Sequence, residues 1–201
     1  MWFERFCVHK ELILASGSPR RRELLERLGI AFRVLAADID ETSLETNPSQ
    51  LVQNLALEKA QAVARLEPKA IILAADTTVA LEDSILNKPS GIAENAEFIR
   101  RLSGVWHEVY TGIAFVMPEK TVVAVEMTRV KFRHLSQAEI HGYANSGEGL
   151  DKAGGYGIQA LGMALVERIE GDFFNVVGLP IHRMLKTAQS IGLELLPWVK
   201  S

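Results

Sequence analysis

The chain is poor in the residues that most readily disclose chemistry. It has one cysteine, Cys7, in 201 residues, so it can form no internal disulfide and no cysteine-based metal cluster. A reducing compartment suits that usage. Its five histidines show no H-x-x-x-H pair, which argues against a zinc site. There is no G-x-x-x-x-G-K-[ST] and no G-x-G-x-x-G opening a helix after a strand, so neither a P-loop nor a dinucleotide fold is indicated. No apolar run approaches the roughly 18 residues of a membrane span. The first stretch, MWFERFCVHKELILAS, is interrupted by Glu4, Arg5, His9, Lys10 and Glu11, which leaves no continuous apolar region for a signal peptide. The expectation is a cytoplasmic protein. A large charge imbalance is also missing: 22 basic residues face 25 acidic ones, for a net charge of -3 and a pI near 6.0. Nothing global then attracts nucleic acid or an anionic membrane, and any basic site must be local.

What is present is an ordinary globular composition, 48% hydrophobic, enough for one domain over residues 1–201, with room for two lobes. The apolar run ELILA (11–15) is followed by SGSP and a helix ending near Gly29, a strand-loop-helix unit. AFRVLAAD (31–38) reads as a second strand, with an acidic turn and a helix from Pro48 to Leu66 after it. KAIILAADTTVALEDSIL reads as two buried strand segments broken around Asp76, and IAENAEFIRRLSG as a helix stopped by Gly104. EVYTGIAFVMP and KTVVAVEMTRVKF, joined at MPEK, predict a hairpin. The last third holds a capped helix at 136–147, the glycine-rich GLDKAGGYGIQALG, a strand ALVERIEG, a tight turn and a final helix from Pro180 to Ile191. Crossover and hairpin connections in one chain predict a mixed, twisted α/β sheet flanked by helices, not an all-parallel one.

The helix opened by ASGSPRRRELLERLG poses an electrostatic problem. Ser18 is placed to cap and Pro19 to take the first position, which puts Arg20, Arg21 and Arg22 at the positive end of the helix dipole, a mildly unfavourable arrangement. Arg22 reaches Glu26 and Arg27 reaches Glu23 at helical spacing. Arg20 and Arg21 have Leu24 and Leu25 at i+4, although Arg20 can reach Glu23 at i+3. At least one of the two is therefore expected to meet an external anion, for which a phosphate chain is well suited.

Asp76 follows the apolar AIILAA and is expected at a strand end, where a carboxylate can activate water or hold a divalent cation; a turn aspartate is the competing reading. Asp38, Asp40 and Glu41 form an acidic patch that composition alone reads as a solvated turn. Lys59 and Lys88, taken singly, read as solvated charges, Asp151 and Lys152 as surface pairing, and His107 as a structural hydrogen-bonding residue. GGYGIQALG alone reads as a flexible loop.

Taken together, LASGSPRRRELLERLG, DIDET, LALEKA, LAADTTV, NKP, RLSG with HEVYTG, TRVKFRHLS, DKAGGYGIQ and VVGLPI resemble the Maf family of nucleoside triphosphate pyrophosphatases from about Leu12 to Leu185. The resemblance implies a fold similar to inosine triphosphate pyrophosphatases, with a long mixed sheet and a central cleft between two lobes. It also implies a homodimer. AADT paired with DKAGGYGIQ looks like the branch acting on dTTP and UTP. The alternatives are a pyrophosphatase for another nucleotide such as 7-methylguanosine triphosphate, or a nucleotide-binding regulator of cell division. The family pattern implies phosphate binding at Ser16, Arg20 and Arg21, and catalytic or substrate contacts at Glu41, Lys59, Asp76, Lys88 and Gln159. Asp76 is the expected base, Glu41 and Asp76 the expected holders of Mg²⁺ or Mn²⁺, and Gln159 the expected partner of the pyrimidine edge. MWFERFCVHK is a longer extension before the first strand than the family pattern usually has.

Overall fold

A computed structural model describes residues 11–199 of the chain. Cys7 and the rest of MWFERFCVHK, on which the expectations about a leader, a redox compartment and an extension rest, lie outside the described residues.

The elements run β1 (Leu12–Leu14), α1 (Pro19–Arg27), β2 (Arg33–Val34), α2 (Pro48–Leu66), β3 (Ile71–Leu81), β4 (Ser84–Leu86), α3 (Ile92–Leu102), β5 (Trp106–Met117), β6 (Lys120–Phe132), α4 (Gln137–Asn145), β7 (Val166–Glu170), α5 (Phe173–Val177) and α6 (Ile181–Ser190). Short side chains set the helix starts. Ser18 accepts from the Arg21 amide and Asn47 from the Gln50 amide, each followed by proline at the first helical position. Ser136 and Glu139 form a reciprocal capping box, which satisfies two donors that a helix start leaves unpaired.

The strands form one mixed sheet in the order β2-β1-β3-β5-β6-β7, with β4 also paired to β3. β1 runs parallel to β2 and β3, and the remaining pairs are antiparallel. The mixed sheet agrees with the expectation, but β3 corrects it in an informative way. Residues 71–81 form one continuous strand, and Asp76 sits in its middle, opposite Gly112 of β5. On the other edge of β3, β1 pairs only with residues 71–73 and β4 only with 79–81. The central residues of β3 are thus paired on one side and open on the other. A buried mid-strand carboxylate is tolerable there because the Lys59 ammonium, 2.6 Å away, compensates its charge.

The same point divides the core. Alternate residues of β1, β3 and β5 face opposite ways: Leu14, Leu73 and Phe115 join α1 and α6 residues, whereas Ile13, Ile72 and Ala114 join Ala56, Ala60 and Val63 of α2. The far ends of the long strands, including Val79, Val109 and Phe132, pack instead with α3 and α4. Between these clusters the buried residues turn polar: Asp76, Thr78, Thr111, Thr128 and Asn175. Two apolar lobes therefore share a sheet whose waist is polar.

Other departures have local causes. Only Arg33 and Val34 of AFRVLAAD pair in the sheet, because β1 offers a three-residue edge; the chain beyond runs irregularly toward α2. The tight turn expected after β7 is the short helix α5, capped by Asp172 at its start and by Gly178 at φ 117° at its end. Gly112 allows α2 to lie directly on the sheet, since a Cβ there would stand 2.2 Å from the Val52 carbonyl oxygen.

His107 is buried, as a structural residue should be. Its Nε2 lies 2.7 Å from the Tyr156 hydroxyl, and its ring meets Phe132 and Tyr156 edge to face. Burial pushes its pKa down to about 3. The unfolded chain therefore binds a proton near pH 6.5 that the native chain refuses. Stability from this site is complete above that pH and falls on acidification toward about 3, by at most ~1.4 kcal/mol per pH unit. Urea unfolding from pH 8 to 4.5 should show a shallower acid-side loss in His107→Gln than in the unsubstituted protein; parallel curves would refute this.

Candidate active site

A cleft of about 800 Å³ opens at the polar waist of the sheet. Ser16, Arg20, Arg21, Glu41, Lys59, Asp76, Lys88 and Gln159 all line it, although they come from positions 16 to 159 of the chain. Asp38 and Asp40 do not; Asp40 is exposed and is bound by the Thr42 amide at 2.9 Å.

The deepest charges come from α2 and β3. Lys59 lies two turns beyond the Val52 backbone that rests on Gly112, so the close approach of α2 brings its side chain over β3. Nζ donates to Asp76 Oδ1 at 2.6 Å and stands 2.9 Å from Glu41 Oε1. Both Lys59 and Asp76 are nearly buried, with side chains 10% and 11% exposed. This corrects the reading of Lys59 as a solvated charge. Desolvation roughly cancels the stabilisation such a pair supplies, so fold stability is a poor reason to keep it. Glu41 is half-exposed at the cleft edge, with Lys88 3.8 Å away on its other oxygen. Burial works to raise its pKa, but the hydrogen bond and charge of Lys59 and the charges of Lys88 and Arg21 outweigh it and hold the carboxyl below its ordinary value.

The two arginines at the start of α1 differ. Arg21 Nε donates to the Gly178 carbonyl at 2.7 Å, Nη1 to Ser16 Oγ at 3.0 Å and Nη2 to Thr77 Oγ1 at 3.0 Å. Three of a guanidinium's five donors are therefore committed to the fold, and one N–H on each Nη remains for a ligand. Burial lowers the Arg21 pKa, with Asp76 acting in the opposite direction. Thr77 passes the connection to Thr111 at 2.9 Å and Thr111 to the Asn175 carbonyl at 3.1 Å, tying α1, β3, β5 and α5 together. Arg20 has no such brace. Instead of Glu23 it meets Asp151 at 3.4 Å, from the glycine-rich segment across the cleft. Arg22 and Arg27 pair with Glu26 and Glu23 at 2.8 and 2.7 Å, as their spacing predicts.

Asp151 and Lys152, read from sequence as surface charges, both line the cleft. Burial raises the Asp151 pKa, but Lys152 and then Arg20 overcome it and lower the value overall. The glycine-rich segment is held by hydrogen bonds, not free as a flexible loop would be. Buried Asn95 donates to the Gly155 carbonyl at 2.6 Å, and Gly154 at φ 69° packs so close to Val79 that a Cβ would lie 2.7 Å from it. These contacts bring Gln159 to the cleft rim. Asn95, Thr77 and Thr111 escape sequence reasoning because their partners are 34 to 64 residues away, with no local periodicity to mark them.

Asp76 and Glu41 supply two carboxylates, and no group of three or more His, Cys, Asp or Glu residues among the described residues is placed to hold a metal ion. Two carboxylates completed by phosphate oxygens is a donor set that suits Mg²⁺, so these residues fit a divalent cation shared with a phosphorylated ligand. No helix among the described residues is long and apolar enough to cross a membrane.

A relative from Deinococcus radiodurans named dTTP/UTP pyrophosphatase is 52% identical over 183 residues, covering 91% of this chain and 94% of its own. One of the same name from Bacillus cereus is 46% identical over 187 residues, covering 92% and 98%. The solved structure of the Staphylococcus aureus Ham1 protein matches over 61% of this chain and 72% of that one, with a TM-score of 0.43 and 16% identity. The family model described as Maf-like protein matches residues 11–191. The chain belongs to the Maf-like protein family.

Proposed function

We propose that this protein hydrolyses dTTP and UTP to the nucleoside monophosphate and pyrophosphate. The observation that carries the reading is the Lys59 ammonium held between Asp76 and Glu41 in a cleft whose mouth presents Arg20 and Lys88. The names of the Deinococcus and Bacillus relatives agree with it.

Water attacks the α-phosphorus, the bridging P–O bond to the β-phosphate breaks, and pyrophosphate leaves with the bond's electron pair. Asp76 orients the water and takes its proton as general base. Its Oδ1 is fixed by Lys59, so the carboxylate is aimed before substrate enters. Arg20, the two remaining Nη hydrogens of Arg21, Lys59 and Lys88 grip the phosphate chain. Positioning and charge stabilisation are the main contributions of protein to phosphoryl chemistry. Ser16 supports that grip through Arg21, and Gln159 offers a donor and an acceptor to the pyrimidine edge.

The charge balance of the cleft supports a divalent metal. Its lining carries five cationic side chains and four carboxylates, a surplus of one positive charge against a polyanionic triphosphate. Mg²⁺ or Mn²⁺, held by Glu41 and Asp76 together with phosphate oxygens, would supply the missing neutralisation at the transferring phosphoryl group and the leaving pyrophosphate. A homodimer and a cytoplasmic location belong to the same reading and rest on the resemblance and on composition.

Pyrophosphate release measured with dTTP, UTP, CTP and 7-methylguanosine triphosphate, with Mg²⁺, Mn²⁺ or EDTA, tests the proposal. Turnover of dTTP and UTP that EDTA abolishes is expected. A preference for the methylated purine, or binding without pyrophosphate release, would replace the reading with one of its alternatives. Asp76→Asn should lower kcat by about 10²-fold or more while nucleotide binding persists; near-normal turnover would remove Asp76 from the role of base. Arg20→Glu should weaken dTTP binding by about tenfold and leave thymidine binding little changed, whereas equal losses would contradict the phosphate contact.

A further inference from the structure

Tyr143 and Glu148 do not line the cleft, yet they hold both ends of the segment that delivers Gln159 to it. The Gly157 amide donates to the Tyr143 hydroxyl at 3.1 Å, and that hydroxyl donates to Glu148 Oε1 at 3.1 Å. At the other end, the Leu161 amide donates to Glu148 Oε2 at 2.7 Å and the Gly162 amide to Oε1 at 2.9 Å. One phenol and one carboxylate therefore gather three backbone donors from 157–162, with Gln159 between them. The segment's ends come so close that a Cβ on Gly162 would stand 2.2 Å from the Gly157 carbonyl oxygen.

Glu148 is itself placed from two directions. Its amide donates to Ser146 Oγ at 3.2 Å, and Lys152 Nζ donates to its carbonyl. Tyr143 is buried in the core cluster of α3 and α4, so the clasp stands on the rigid part of that lobe. Bonds from adjacent amides to an ionised carboxylate are stronger than neutral ones, and fixing a segment in its binding conformation removes an entropic cost from the ligand it meets.

We infer that the Tyr143–Glu148 clasp positions the 157–162 segment so that Gln159 can select the base. These two are positioning residues, with no contact to the reacting atoms. The inference rests on the nucleotide reading of the cleft and makes a distinct claim: the clasp governs recognition of the base and not the grip on phosphate.

The test uses the full chain with Glu148→Ala, Glu148→Gln and Tyr143→Phe. Calorimetry measures binding of UMP, GMP and inorganic tripolyphosphate, and steady-state kinetics measures UTP and GTP. Glu148→Ala should weaken UMP binding and raise the KM for UTP by about tenfold, with kcat changed less than about threefold and the preference for UTP over GTP reduced. Tripolyphosphate, which has no base, should bind within about twofold of the unsubstituted protein. Glu148→Gln keeps a carbonyl acceptor and should recover part of the preference. Tyr143→Phe removes only the hydroxyl and should shift the preference in the same direction to a smaller extent; it carries the test if Glu148→Ala does not fold. An unchanged base preference, or equal losses for UMP and tripolyphosphate, would overturn the inference. If the unsubstituted protein binds UMP but releases no pyrophosphate from UTP, the hydrolase reading fails and the clasp is decided on the binding results.

Discussion

Lys59 lies 2.6 Å from Asp76 and 2.9 Å from Glu41, and those contacts join a helix, a central strand and an irregular segment at one point. Each of the three groups would be costly to enclose alone. Together they keep charge in the wall of a cleft, where the fold needs it least and chemistry can use it most. The arrangement depends on α2 resting on Gly112, because a side chain there would collide with the Val52 carbonyl and move Lys59 away from the carboxylate.

The sheet supplies the opening. β5 pairs along β3 throughout its middle, whereas β1 and β4 leave the other edge of β3 uncovered around Asp76. The change from apolar clusters to the threonines and Asn175 follows the same line across the sheet. Arg21 closes the first lobe against that waist through Ser16, Thr77 and Gly178, while Arg20, one residue earlier, reaches to Asp151. Neighbouring arginines thus differ: one braces the cleft through three fixed acceptors and the other meets a carboxylate across it. The cost of placing cations at a helix start is offset for Arg21 by its fixed acceptors and for Arg20 by an anion across the gap.

The glycine-rich segment shows why local composition misleads. Its glycines suggest freedom, but Asn95 binds the Gly155 carbonyl and the Tyr143–Glu148 pair gathers the amides of 157–162. Glycine here permits close approach between backbones, and the approach creates the order.

Much was legible in the chain itself. The capped helices, the long hairpin and the Arg22–Glu26 and Arg27–Glu23 pairs follow from caps, periodicity and i,i+4 spacing, all local properties. The family motifs singled out eight residues that meet in one cleft. Sequence alone could not show that Lys59 is buried or that Asp76 lies mid-strand. Nor could it show that Asp151 faces Arg20 or that Glu148 holds amides 13 and 14 residues away. Burial and pairing between distant segments are consequences of how the sheet is ordered and where its edge is left open, and neither has a signature within a single helix turn or strand.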